Sequence, residues 1–286
     1  IEKASKVMMP LLFILLLIIV VASCLLPDAG KGVEFLLKPD FGKVDRNVFL
    51  NALGQSFYSM SIGMGCICTY ASYFSRQTNL FKSALQISVI DLLVAVLAGL
   101  MIFPAAFSVG ISPDSGPSLI FITLPNVFNK AFAALPVLGW IISLLFYVLL
   151  SVAALTSLMS LHEVNTSFFY EELKIDRKKG AWIVTISCAV IGAFCSFSLG
   201  ATDKLSWFGK TLFDWFDFIT GQVFLPMAGL LTCLFLGWYV PKKILKDEFT
   251  NWGTLKGRLF GIYFFLIKFV CPILILLVFL NQFEVL

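Results

Sequence analysis

Apolar residues run through this chain in blocks too long for a soluble core, and most charged residues collect between them. Seven blocks stand out, at 7–26, 48–74, 85–109, 135–170, 181–199, 212–240 and 259–280. Each matches or exceeds the ~20 residues that cross ~30 Å of hydrocarbon as a helix. The longer ones predict tilt, kinks or helix reaching into water. Pro10, Pro104, Pro226 and Pro272 fall inside blocks and are candidate kinks. Between the third and fourth blocks, GISPDSGPSLIFITLPNVFNK (110–130) is rich in Pro and Gly yet too apolar for a solvated linker. It is also too short to span, which predicts an external hairpin or short helix folding back on the protein.

Composition agrees with the pattern. Of 286 residues, 59% are hydrophobic and 13% charged, where soluble domains carry about 25% charge. The chain is therefore read as an all-α integral membrane protein. A net charge of +4, dispersed between apolar runs, excludes a nucleic-acid partner. Seven cysteines stand mostly inside apolar blocks, which favours packed thiols over a disulfide framework. The chain opens at Ile1 on a basic heptad with no initiator Met and no cleavage pattern, which reads as an interior cut. With the N-terminus inside, thirteen basic residues fall on that side and seven on the other, with Lys268 inside the last block. The richer side is expected to face the cytoplasm.

Polar residues inside the blocks carry the candidate chemistry. The stretch GQSFYSMSIGMGCICTYASYF (54–74) places Ser59, Ser61, Gly63 and Gly65 where an unbroken span has no need of them. Irregular backbone survives in a bilayer only where protein or a watery cavity supplies hydrogen bonds. A break here would free carbonyls and the Ser59 and Ser61 hydroxyls as oxygen ligands. The same small residues would also suit a tight helix crossing. Asp91, in QISVIDLLVAVLAGLMIF, is a carboxylate flanked by apolar residues, costing about 2.5–3.5 kcal/mol on insertion scales at a span's centre. A late helix start near the interface is its bland alternative. In LSVAALTSLMSLHEV (150–164), Ala153, Ser157 and Leu161 share a face beside Thr156 and Ser160. That face offers a carbonyl and hydroxyls to a hard cation, unless the hydroxyls bond back to their own helix.

An enzyme is not expected. His162 is the lone histidine, HEVNT lacks the second His of a zinc helix, and Cys66 with Cys68 is CxC. No Ser/His/Asp set or nucleotide loop can be assembled.

These stretches resemble the neurotransmitter:sodium symporter family, in particular its bacterial amino-acid transporters. GQSFYSMSIGMG with TYASYF is similar to the family's sixth helix, GPSLIFITLPNVF to its fourth external loop, AALTS to its eighth helix and FDWFDFITGQVFLP to its tenth. The resemblance covers essentially the whole chain. It implies a leucine-transporter-type inverted-repeat fold with one broken helix, in which the blocks are helices 5 to 11 of a twelve-helix protein. Helix 5 and an external loop take 1–47, a complete second repeat 48–240, and helix 11 the remainder, 241–286. Helices 1 to 4, the missing partner, supply half of every ligand site in the family.

The resemblance also implies roles. Tyr58, Ser59, Ser61 and Met64, with Ser157 and Leu161, would line the substrate pocket. Ser59 and Asp91 would hold one Na+, and Ala153, Thr156 and Ser157 a second. Asp217 matches the outer-gate acid; Tyr73 and Glu171 match the inner gate. The family usually has Asn where Asp91 stands, and its chloride-dependent members carry Ser where Ala95 stands. Chloride is therefore not expected to be required, because a built-in carboxylate compensates the Na+ charge. Gln55 nevertheless matches the family's chloride-site glutamine. The implied function is Na+-coupled symport of a neutral, hydrophobic or aromatic amino acid by alternating access in the bacterial inner membrane. Two Na+ crossing 100 mV release about 4.6 kcal/mol, enough for roughly a thousandfold gradient of neutral solute. An ion channel or a non-transporting membrane scaffold is the competing reading.

Overall fold

The computed structural model describes residues 2–75, 78–108, 124, 128, 133, 136–200 and 211–282. Those residues are helical wherever they are regular. α1 (Glu2–Cys24) is followed by a short α2 (Ala29–Leu37). The second apolar block becomes α3 (Arg46–Ser59) and α4 (Cys66–Ser72) with an irregular stretch between. Then come α5 (Leu80–Ser108), α6 (Pro136–Glu171) and α7 (Arg177–Gly200). α8 (Leu212–Tyr239), α9 (Lys242–Phe249) and α10 (Phe260–Asn281) complete the chain. Six helices among the described residues, α1, α5, α6, α7, α8 and α10, are long and apolar enough to cross a membrane. The block at 48–74 drops out because α3 and α4 are each too short alone. The hairpin expected at 110–130 lies outside the described residues, apart from Leu124 and Phe128. The seven cysteines are free.

Two proline signals acquire a specific form. In α8, Phe218–Phe224 adopts wide π turns and the α ladder resumes at Leu225–Leu234, with Pro226 near its start. In α10, Leu266–Val270 does the same before Pro272. Proline has no N–H to give to the fourth residue back, and its ring crowds that carbonyl. A wider turn just before it relieves the crowding without ending the helix.

The chain separates into two compact units. One comprises Ile1–Lys43 with Val89–Met159, the other Val44–Ser88 with Ser160–Leu286. In the first, Leu15, Leu16 and Ile19 of α1 pack with Met101 and Ala105 of α5 and with Ile142 and Phe146 of α6. Leu124 and Phe128 are fully buried in the same core. α2 lies against the second half of α5. The Phe35 ring centre is 5.1 Å from that of Phe103 and 5.2 Å from that of Phe107. On its outer edge, the Lys38 ammonium donates to Glu34 and holds that exposed carboxyl below its usual range.

In the second unit, α8 and α10 run along each other and α3 packs on the second half of α10. Phe249 of α9 stacks on Tyr263 of α10 with ring centres 5.0 Å apart, which fastens α9 to the start of that span. α2 and α9 are both amphipathic helices of nine and eight residues, short enough that their apolar positions merge with loop composition in the sequence.

Gly32 is where α2 touches α5 most closely: a Cβ there would stand 2.5 Å from the Phe103 carbonyl carbon and the Pro104 nitrogen. Gly32→Ala is expected to lift α2 from α5 and cost about 1–3 kcal/mol. A thermal unfolding midpoint in detergent that does not fall would contradict this packing.

Candidate functional site

The break in the second block is a built structure. α3 ends with the Ile62 N–H donating to the Phe57 carbonyl at 3.1 Å and the Ser61 N–H donating to the Tyr58 carbonyl at 3.0 Å. That pair of bonds is a Schellman closure, which requires a left-handed residue between the two donors. Ser61 supplies it at φ 52°. A serine here costs on the order of 1 kcal/mol relative to glycine, so its hydroxyl is held at the break against a backbone preference. Gly63 (φ 89°) and Gly65 (φ 80°) continue the turn, and α4 starts at Cys66. The Met64 N–H donates back to the Ser61 carbonyl at 3.3 Å.

Neighbouring helices hold the two arms separately. A Cβ on Gly63 would collide with the Leu225 carbonyl oxygen of α8, and one on Gly229 would sit 2.8 Å from the Phe57 ring. These contacts dock the end of α3 and the turn onto α8. α4 is tied to α6 by hydroxyls: Tyr70 donates to Ser160 Oγ at 2.7 Å and Tyr73 donates to Glu163 Oε1 at 2.9 Å. Ser160, Glu163 and Ser167 fall on one face of α6. Ser167 Oγ is 2.9 Å from the Tyr73 hydroxyl and donates to Glu163 at 3.3 Å. The Arg177 guanidinium, at the start of α7, completes the cluster with an ion pair to Glu163. Glu163 is only 6% exposed, so this carboxylate is an interior charge with three donors around it. His162 beside it is fully partnered: Nε2 is 3.0 Å from Thr185 Oγ1 and Nδ1 is 3.2 Å from Thr166 Oγ1.

Of the two residues matched to the inner gate, Tyr73 stands in this cluster and Glu171 lies outside it. The Tyr73 hydroxyl meets Glu163 and Ser167, and not Glu171. Glu171 is the last residue of α6, exposed, eight residues beyond Glu163. At 1.5 Å per residue that is about 12 Å further along the helix axis. The signal for Glu163 was present in the sequence as an acid within an apolar block, directly beside His162, but its basic partner Arg177 lies across a turn.

The other singled-out residues divide between the units. Tyr58, Ser59, Ser61, Met64, Tyr73, Leu161, Glu171 and Asp217 belong to the unit of Val44–Ser88 with Ser160–Leu286; Asp91, Ala153, Thr156 and Ser157 belong to the other. Tyr58 is half exposed at 52%, while Ser61 and Met64 are partly buried. Tyr58 and Asp217 line one cavity of about 430 Å³ together with Asn51, Gln55, Gln222 and Asn281. The Asp217 carboxylate has no hydrogen bond or ion pair among the described residues. In the other unit, Ala153, Thr156 and Ser157 sit within one turn of α6. The Thr156 hydroxyl donates to the Ala153 carbonyl at 2.8 Å. That is the back-bonding anticipated as the bland alternative, yet it brings two oxygens together with lone pairs still available to a hard cation. Asp91 is partly buried on α5. Among the described residues no group of three or more His, Cys, Asp and Glu side chains is placed to hold a metal ion.

Substitutions at the two clusters test this geometry. Ser61→Gly is expected to leave or raise thermal stability, since it removes the left-handed strain, whereas Gly63→Ala is expected to lower it by about 1–3 kcal/mol through the clash with Leu225. Equal effects would contradict the Schellman closure. At the second cluster, Arg177→Gln strands a buried carboxylate while Glu163→Gln leaves an arginine free to hydrate. Arg177→Gln should therefore be the more destabilising, and the reverse order in a double-mutant cycle would remove Glu163 as the interior charge.

Comparison with known proteins bears on the whole chain. The sequence model of the Sodium:neurotransmitter symporter family matches residues 1–286. An uncharacterized sodium-dependent transporter of Bacillus subtilis (strain 168), YhdH, is 38% identical over 282 residues, 98% of this chain and 61% of that protein. The Sodium-dependent nutrient amino acid transporter 1 of Drosophila persimilis is 27% identical over 198 residues, 66% of this chain and 29% of that protein. Among solved structures, MhsT in complex with L-phenylalanine superposes with a TM-score of 0.83 at 36% identity, covering 97% of this chain and 62% of MhsT. The chain thus spans about three fifths of the length of YhdH and of MhsT. The family is one of symporters and not of enzymes. On the match along its entire length and the shared fold, this chain belongs to the sodium:neurotransmitter symporter family.

Proposed function

We propose that the protein containing this chain couples Na+ entry to symport of a neutral, hydrophobic or aromatic amino acid across the bacterial inner membrane. The observation that carries the reading is the self-capped break at Met60–Gly65, with the Ser61 hydroxyl fixed in it by a strained backbone. A transporter for a zwitterion needs hydrogen-bonding groups at membrane depth, and an interrupted helix is how a bilayer protein presents them. The sodium dependence of the related transporters, and the L-phenylalanine held by MhsT, support the same reading.

In this proposal Tyr58, Ser59, Ser61 and Met64, with Ser157 and Leu161, contact the amino acid. The apolar members set the preference for an apolar side chain, and Met64 tolerates several shapes. Ser59 and Asp91 serve one Na+; Ala153, Thr156 and Ser157 serve a second as oxygen ligands. The Asp91 charge takes the place of chloride. Asp217, unpaired within its cavity among the described residues, is the outer-gate acid. On the inner side the Tyr73–Glu163–Arg177 cluster acts as the latch, with Glu171 beyond it at the end of α6. Opening the latch must part an interior carboxylate from its guanidinium, so the closed arrangement has a defined electrostatic hold.

The deciding measurement is uptake of labelled neutral amino acids into vesicles carrying the intact protein, under an inward gradient of Na+ or of K+. Uptake is expected to require Na+, to survive replacement of chloride by gluconate, and to be outcompeted by phenylalanine or leucine and not by lysine or glutamate. Thr156→Val keeps the helix packing and removes one oxygen. It is expected to raise the half-saturating Na+ concentration about tenfold, equivalent to about 1.4 kcal/mol. Cation-indifferent uptake would overturn the reading, and a substrate-independent current would favour a channel.

A further inference from the structure

A lysine stands inside the last span, and the structure gives it aromatic faces without a counter-ion. Lys268 lies in the wide-turn segment of α10, Leu266–Val270. Its ammonium is 4.5 Å from the Trp238 ring centre, 5.6 Å from that of Phe269 and 5.7 Å from that of Phe264. A second ammonium, that of Lys242 at the start of α9, is 5.0 Å from the centre of the same Phe264 ring. Lys31, Lys38 and Arg177 pair with Asp28, Glu34 and Glu163, whereas neither Lys242 nor Lys268 forms an ion pair among the described residues.

The place is fixed by close packing. A Cβ on Gly237 would stand 2.9 Å from Lys268 Cα, so α8 and α10 meet here at backbone distance. Trp238 donates its indole N–H to the Lys268 carbonyl at 3.4 Å. The ring remains 63% exposed, and Phe265 and Phe269 beside it are exposed as well. The site opens outward from the α8–α10 pair, on the side that bears Lys242, Lys243, Lys246, Lys256 and Arg258, which the distribution of basic residues assigns to the cytoplasm.

Two like charges near one ring, at the edge of hydrocarbon, repel each other in a medium that screens poorly. Aromatic quadrupoles offset this only in part. The group that fits is an anion with several oxygens, arriving from the lipid side with an apolar body to lie on Trp238, Phe265 and Phe269. A phospholipid phosphate meets both demands, and Trp at the headgroup level is its usual neighbour. A choline headgroup would bring its own cation to the two lysines, which disfavours zwitterionic lipid. We propose that α8, α9 and α10 form a binding site for an anionic phospholipid, with Lys242 and Lys268 holding its phosphate and Trp238 its glycerol and upper acyl region. This site does not depend on the transport reading.

The test uses the intact protein with Trp238 as its only tryptophan, in phosphatidylcholine vesicles containing a minor fraction of either brominated phosphatidylglycerol or brominated phosphatidylcholine. Brominated phosphatidylglycerol is expected to quench Trp238 at an about thirtyfold lower mole fraction, the scale set by two lysines at a membrane surface. Lys268→Met should reduce that preference to about fivefold or less. Lys242→Met, at an exposed helix start, should reduce it several-fold independently of how well the Lys268 variant folds. Lys268→Arg and Lys243→Met should keep it. Equal quenching by both lipids would overturn the proposal, as would an equal loss in Lys243→Met and Lys268→Met, which means diffuse attraction. Loss of the preference on adding inorganic phosphate would assign the site to a soluble anion instead. Absence of quenching by either lipid would mean that another part of the protein covers the place, and would overturn the proposal too.

Discussion

Inside hydrocarbon a backbone N–H or carbonyl without a partner is among the most costly features a protein can carry. The interruption at Met60–Gly65 exists only because that requirement is met locally. Ile62 and Ser61 turn their N–H groups back onto Phe57 and Tyr58, so α3 ends closed rather than frayed. The closure demands a left-handed residue, and the sequence places serine there instead of the less strained glycine. Strain accepted at one residue is what leaves a hydroxyl at the break.

The arms of the break are then tied to different neighbours by different physics. α3 is held on α8 by shape, through Phe57 over Gly229 and Gly63 against the Leu225 carbonyl. α4 is held on α6 by polar bonds, Tyr70 to Ser160 and Tyr73 to Glu163. Any change in the angle between α6 and α8 therefore falls on the few residues from Met60 to Gly65, whose glycines bend with the least resistance. The wide turns of α8 lie directly before Leu225, so the helix that clamps the break is itself non-standard at the point of contact. The break is thus a joint: stiff helices on either side, and a short backbone element between them that is satisfied in hydrogen bonds and contains the chain's most pliable residues.

Much of the fold was legible because lipid imposes a simple rule on composition. Block lengths near twenty residues gave the spans, and the polar interruption in 54–74 gave the break. α2 and α9 were not legible, since helices of nine and eight residues in charged surroundings resemble loops until they are seen packed on Phe103 or Tyr263. Pro226 and Pro272 were visible as kinks, but the wide turns that absorb them are a property of the hydrogen-bond ladder. Among site residues, Tyr58 and Asp217 are far apart in sequence and line one cavity. Glu163 had to wait for Tyr73 and Arg177 to be seen around it.

The sequence by itself determined that this chain lives in a membrane, where its spans lie, which span is broken, and which hydroxyls and carboxylates interrupt the apolar blocks. Each follows from local composition, because an apolar solvent tolerates few exceptions and makes each one conspicuous. Only the tertiary structure decided which acid faces Tyr73, why Ser61 and not a glycine closes α3, and that Lys268 shares an aromatic ring with Lys242. Those are facts about distances between residues up to about a hundred positions apart, and helix periodicity fixes a residue's direction only relative to its own axis.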